Sequence, residues 1–223
     1  MKSIEEQCLE LRRKYQYLYL VTRAKKQYII GSIFIDDQGS KDSYEIEICI
    51  PKNFPRQIPL VTEVGSKIPQ TYHRNADSLC LEIPLTEWEI YHKDKTLLNY
   101  VDNLVFPYLV AYGRFARGDG EPAQHAHGVR GKIDDYSKRF NTNNLVIVLD
   151  LLRFLFPRNY REDRLCPCGS QLRLCECHGA ILSTLNSTGY NFQADYKEIR
   201  SYIENALFLK EEYRSAFLLR PKR

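Results

Sequence analysis

The chain has 223 residues, 43% hydrophobic, 27% charged and 12% aromatic, which supplies one core or a core with a small appendage and excludes disorder throughout. With 11 glycines, 10 prolines and a mean hydropathy of -0.44 it is no collagenous or low-complexity polymer, and a soluble protein is expected. Lys and Arg total 32 against 28 Asp and Glu, and a net charge of +4 is too weak to argue alone for a nucleic-acid or anionic-membrane partner.

The stretch Met1 to Glu6 carries acids where a signal peptide needs an apolar run, and nothing approaches the ~20 apolar residues of a membrane span, so a cytoplasmic location is expected. Ser3 followed by Glu6 is a capping-box pattern, and Ile4, Cys8, Leu9 and Arg12 continue it at helical spacing to about Lys14. Tyr15 to Thr22, Gln27 to Asp36 and the alternating Tyr44 to Ile50 read as strands, with turn chemistry at Asp36 to Ser40. A fourth apolar run, Ile58 to Val64, follows Phe54-Pro55-Arg56-Gln57-Ile58-Pro59. Strands this closely spaced, with no helix-length crossover, imply an antiparallel meander.

From Gly65 to Lys93 periodicity is lost, which predicts a long ordered loop around Cys80. Leu97, Val101, Leu104, Val105, Tyr108 and Tyr112 restore helical spacing, with Pro107 expected to kink or divide the helix. Gly113 to Lys132, with five glycines and the histidines His125 and His127, reads as a mobile loop. Asn144 to Phe156 reads as a buried helix or, over Leu145 to Leu149, as a strand. A last amphipathic segment runs from Asp195 to Phe217.

Cys8, Cys49 and Cys80 are isolated, whereas Cys166, Cys168, Cys175 and Cys177 crowd beside His178. A lone cysteine is usually a small buried hydrophobe, and Cys49, on the strand face of Glu45 and Glu47, suits that reading. Cys80 differs, because it lies in the long loop between Asp77-Ser78 and Glu82, where a large partner can reach it. In a reducing compartment the later cluster reads as a metal site.

A helix, four antiparallel strands, Phe54-Pro55-x-x-x-Pro59, a loop ending in Ser78-Leu79-Cys80-Leu81-Glu82-Ile83, and Trp88 eight residues after the cysteine follow one another over about residues 1 to 155. This order resembles a ubiquitin-conjugating enzyme domain. The resemblance implies an α+β fold in residues 1–158, with an N-terminal helix, a four-stranded meander, an active-site loop and C-terminal helices. It also implies that Cys80 is the nucleophile, holding the C-terminus of a protein as a thioester until an amine displaces it. Transthiolation favours a thiol whose pKa is near ambient pH, so the surroundings can be bland.

In that family the oxyanion donor is the asparagine of a His-Pro-Asn triplet. Here the stretch is His73-Arg74-Asn75, with arginine for proline and standing three residues closer to the cysteine. Asn75 is a candidate for that role, or a loop asparagine capping its own backbone. His73, His125 and His127 are alternative bases or orienting groups for the amine. Asp77, Glu82 and Glu87 either position an amine or simply stay solvated. Pro55 and Pro59 stiffen the exit from the sheet, and Trp88 is expected beneath the active loop.

Cys166-Pro167-Cys168-Gly169-Ser170 and Cys177-His178-Gly179 provide three thiolates and an imidazole, a closed tetrahedral set for structural zinc. The motif resembles the zinc motif at the C-terminus of the SecA translocation ATPase. The resemblance implies Cys166, Cys168, Cys177 and His178 as ligands and leaves Cys175 free; four redox-active thiols is the competing reading. A zinc knuckle over 159–180 and a helical segment over 181–223 complete the expected organisation. Docking is its expected role, with Arg158, Arg161, Arg164 and Arg173 around it.

The combined expectation is a bacterial, cytoplasmic conjugating enzyme that joins a thioester-bound protein C-terminus to a lysine or other amine. Similarity to stand-alone conjugating enzymes of antiphage operons implies a cGAS-like nucleotidyltransferase as the passenger. The alternatives are a catalytically silent module or scaffold that binds a ubiquitin-like protein, and a zinc-stapled nucleic-acid adaptor, which the weak charge disfavours. No membrane partner is expected.

Overall fold

Helix α1, Ile4–Lys14, starts at the expected capping box: the Ser3 hydroxyl accepts the Glu6 N–H at 3.1 Å and the Glu6 carboxylate accepts the Ser3 N–H at 2.7 Å. This computed structural model describes residues 2–75, 77–119, 128–156 and 161–208 of the chain. They fall into two compact units, divided between Gln124 and His125.

In the first unit, β1 (Leu18–Arg23), β2 (Lys26–Asp37), β3 (Ser40–Ile50) and β4 (Leu60–Glu63) form an antiparallel sheet in chain order. Two-residue turns join the first three strands, and each places both residues in the left-handed region: Ala24-Lys25 and Gln38-Gly39. Alternation then sorts the faces. Ile29, Ile33, Ile35, Ile46, Ile48 and Val61 are buried in one core with Leu11 of α1, while Tyr19, Phe34 and Leu60 are exposed. Gly31 has φ +138°, and a Cβ there would stand 1.9 Å from the Tyr17 carbonyl oxygen, so only glycine fits this point of the β1–β2 ladder.

Helix α2, Pro84–Lys93, occupies the end of the segment expected to be loop. Its pattern escaped notice because only Leu85 and Tyr91 are buried, too few to set a period, although proline at the first turn is a start signal. The Tyr91 hydroxyl donates to the Pro55 carbonyl at 3.1 Å and ties α2 to the Phe54-Pro55 segment. Helices α3 (Leu97–Tyr100) and α4 (Phe106–Ala116) are joined by a π-helical stretch, Val101–Val105. The Phe106 N–H donates to the Val101 carbonyl, so the turn before Pro107 widens where a kink or break was expected. Helix α4 also absorbs Gly113, which contracts the expected glycine-rich loop at its start. Gln7 of α1 is buried and accepts the Leu97 N–H at 3.0 Å, capping α3.

The second unit contains α5 (Gly128–Arg139), α6 (Leu145–Phe154), a 3₁₀ turn (Leu174–Glu176), α7 (Gly179–Ser187) and α8 (Phe192–Phe208). Asn144 settles α6 as a helix, because its side-chain oxygen accepts the N–H groups of Val146 and Ile147. Helix α8 packs on α5 and α6. Its Asp195, 2% exposed, pairs with Lys132 of α5 at 2.7 Å and accepts the hydroxyls of Tyr136 and Tyr190 at 2.7 and 2.9 Å. Helices α5 and α6 are grouped with the later helices, in the unit that begins at His125. Helix α8 lies within the stretch 181–223, of which residues 209–223 lie outside the described ones. Among the described residues no helix is long and apolar enough to cross a membrane.

Gly31→Ala is expected to cost at least about 2 kcal/mol, from the left-handed backbone together with the collision at Tyr17, and to lower the thermal midpoint. An unchanged midpoint in a melting scan would show that the β1–β2 ladder is not as drawn.

Candidate functional site

Cys80 ends a short hairpin that the chain builds after β4. Arg74 and Leu79 pair antiparallel, the Asn75 N–H donates to the Ser78 carbonyl at 2.8 Å, and the Cys80 N–H donates to the His73 carbonyl at 2.8 Å. Two anchors fix the hairpin to the sheet: the Leu79 N–H donates to the Val61 carbonyl at 2.8 Å, and the Thr62 hydroxyl to the Asp77 carbonyl at 2.8 Å. A third comes from α4, where the buried Tyr108 hydroxyl donates to the His73 carbonyl at 3.0 Å. His73 has φ +31°, a left-handed conformation that a non-glycine residue adopts only when its surroundings impose it.

Arg74 and Leu79 stand opposite each other in the bridge, and Asn75 and Ser78 stand opposite each other beside it. Leu79 is buried, while Cys80 is half-buried. The Asn75 amide reaches the Ser78 hydroxyl at 3.5 Å, a long contact. His73 turns its ring edge-on to Tyr72, with centroids 4.9 Å apart, and its backbone carbonyl is what meets Cys80. Trp88 lies on α2 and stacks on His92 at 3.6 Å. His125 and His127 lie outside the described residues. Sequence reasoning missed Tyr108, whose position on a helical stripe marks it only as core.

The two charges that bear on the Cys80 thiol are both negative. Burial pushes its thiol up, and Glu87 and then Glu82 add to the shift by opposing the thiolate. Burial, and next the charge of Glu82, pushes the Glu87 carboxyl up to about 7. Glu82 spends one oxygen on the Ile83 N–H at 3.0 Å.

The second unit brings together four side chains expected as metal ligands. Cys166, Cys168, Cys177 and His178 each place one ligand atom within 4.8 Å of all the others, so this group can hold a metal ion. The Cys166 and Cys177 sulfurs approach His178 Nδ1 at 3.1 and 3.2 Å, and the Cys168 and Cys177 sulfurs lie 3.5 Å apart. His178 Nε2 meets the Phe140 carbonyl at 3.0 Å, which leaves Nδ1 as the ligand atom. Phe140 carried no signal of this in the sequence, because the contact uses its main chain. Cys175 is exposed and outside the group.

No family model, curated protein or solved structure matches this chain.

Because the Glu87 carboxyl rises from its ordinary 4.5 to about 7, its ionisation opposes folding: the stability it contributes is full below pH 4.5 and is lost as the pH climbs through 7. Glu87→Gln is expected to stabilise the chain by about 1–3 kcal/mol at pH 8 and by little at pH 4, read from denaturant melts at the two pH values. The same substitution removes a charge that opposes the thiolate, so the pH midpoint of Cys80 alkylation should fall. A midpoint that stays or rises would contradict the proximity of the two groups.

Proposed function

We propose that this chain is a ubiquitin-conjugating-enzyme-like acyl transferase that carries a protein C-terminus as a thioester on Cys80 and transfers it to a lysine or other amine. The observation that carries the proposal is the placement of Cys80. A half-buried thiol ends a pinned hairpin after a four-stranded antiparallel meander, and the helix that follows bears Trp88. In loading, the Cys80 sulfur attacks the carbonyl of a carrier thioester, the new C–S bond forms, and the carrier leaves as its thiol. In transfer, an amine attacks the same carbonyl and Cys80 is released. Asn75, in the same hairpin as Cys80 and with its side-chain amide in a long contact to the Ser78 hydroxyl, is assigned as oxyanion donor.

The passenger assigned is the C-terminus of a cGAS-like nucleotidyltransferase in bacterial antiphage defence, acting in the cytoplasm. Its support is the resemblance to stand-alone conjugating enzymes.

Zinc is the metal proposed for Cys166, Cys168, Cys177 and His178. Three thiolates and one imidazole suit its tetrahedral preference, and a closed set leaves no position for a catalytic water. When bound, zinc would supply folding energy that so short a segment cannot draw from a core.

A second reading, a binding module or scaffold for a ubiquitin-like protein, is favoured by the burial and like charge that disfavour the Cys80 thiolate. Capture with cellular partners and intact mass measurement separate the two. Native chain should yield an adduct that reductant removes, and Cys80→Ser or Cys80→Lys one that reductant leaves; an adduct that persists in Cys80→Ala overturns the acyl-carrier reading.

Purified protein should carry one zinc per chain by elemental analysis. Cys168→Ala and His178→Ala should lose it while Cys175→Ala keeps it; retention in both ligand variants would refute the ligand set.

A further inference from the structure

A net charge of +4 averages over the whole chain and conceals where the cations stand. Arg12, Arg13 and Lys14 fill the last turn of α1, and Arg23, Lys25 and Lys26 frame the turn between β1 and β2, all of them exposed. Lys14 is paired with Asp102 and Arg23 with Glu47. Among the described residues Arg12, Arg13, Lys25 and Lys26 have no carboxylate partner.

Between these two groups lies the outer face of β1. Alternation sends Leu18 and Leu20 toward the core and Tyr19, Val21 and Arg23 outward. Tyr17, just ahead of β1, and Phe34 of β2 continue that face, with ring centroids 4.9 Å apart. Tyr17 and Tyr19 are each 47% exposed and Phe34 58%, where a solvated sheet face would carry polar side chains. The Arg12 guanidinium lies 4.6 Å from the centre of the Tyr19 ring, and that of Arg23 lies 5.9 Å from the centre of the Tyr28 ring.

Rings alone would suit any apolar partner, and cations alone any polyanion. Their interleaving selects a polyanion that carries flat apolar groups at regular spacing, which is a single-stranded nucleic acid. Outward positions recur along β1 at about 6.7 Å, close to the reach of one extended nucleotide. A duplex hides its base faces and offers the rings nothing. Glu45, exposed on the same face opposite Ser32, repels phosphate but accepts a hydrogen bond from a ribose 2′-hydroxyl, which favours RNA over DNA.

We infer that the outer face of β1 and β2 binds single-stranded RNA, with bases stacked on Tyr17, Tyr19 and Phe34 and phosphates held by Arg12, Arg13 and the cations of the β1–β2 turn. The inference is independent of the chemistry assigned to Cys80. Stacking serves every base, so the face reads strandedness and not sequence.

The test is fluorescence anisotropy with the full chain and a labelled single-stranded RNA of about 12 nucleotides in about 50 mM salt, against the same sequence as DNA and as an RNA duplex. The RNA single strand should bind at least about 10-fold more tightly than the duplex, and more tightly than the DNA. Tyr19→Leu and Phe34→Leu keep apolar bulk on the surface and remove the ring. Both should melt close to the native chain, and each should lose about 10-fold in affinity with the salt dependence unchanged. Replacing Arg12 and Arg13 together by Gln should weaken binding and lower the slope of log affinity against log salt by about 1.4, the loss of two phosphate contacts on a single strand. Native affinity in both ring variants, or a duplex bound as well as the single strand, overturns the stacking face and leaves a general attraction for polyanions. DNA bound as tightly as RNA overturns the assignment to RNA, and no binding at this salt overturns the inference outright.

Discussion

The His73 carbonyl accepts the Cys80 N–H at 2.8 Å and the Tyr108 hydroxyl at 3.0 Å, and on this shared oxygen the geometry of the candidate active site depends. One bond closes the hairpin on itself and the other fastens it to α4. A carbonyl has two lone pairs, so both donors are served without competition. Since Leu79 is also bound to β4, the thiol is referenced to the sheet and to a helix at once. A loop held from two sides can present a half-buried sulfur in one position, where a free loop of this length would present an ensemble.

The second unit follows a similar logic with different chemistry. His178 is oriented by the Phe140 carbonyl, Phe140 stacks on Tyr136 with ring centroids 6.0 Å apart, and the Tyr136 hydroxyl donates to Asp195 of α8. Lys132 meets Asp195 and Glu198 at 2.7 Å each. The metal-ligand group is thus connected through α5 to α8 by contacts that are each buried or partly buried. Removing one partner of the Lys132–Asp195 pair would strand a charge away from water, which is the costly way to lose a salt bridge.

How much of this was legible in the sequence depended on whether the signal was local. The alternation of Tyr44 to Ile50 announced β3 because one face is dry and the other wet, and Ser3 with Glu6 announced α1 because a capping box closes within four residues. The metal-ligand group was readable for the same reason, its four members standing within thirteen residues of one another. Helix α2 was not, since only Leu85 and Tyr91 are buried and two positions define no period. The Ala24-Lys25 turn hid because neither residue normally marks a left-handed conformation. Tyr108 and Phe140 act through a hydroxyl reaching a distant main chain and through a main-chain oxygen, and neither leaves a pattern along the chain. Glu87 stood among the acids near the cysteine, but its burial is a property of the fold.

The π-helical stretch at Val101–Val105 acts as a phase shifter. Relative to a regular helix it accommodates one additional residue, so everything downstream is rotated by about 100° around the axis. That rotation presents Tyr108 to the His73 carbonyl and Tyr112 to the Lys67 carbonyl, which it reaches at 2.6 Å. A descendant chain that lost one residue from this stretch would gain a more regular helix and turn both hydroxyls away from the segment they hold. The irregular turn is therefore bound to the Cys80 hairpin by geometry, and the two can be expected to persist or disappear together.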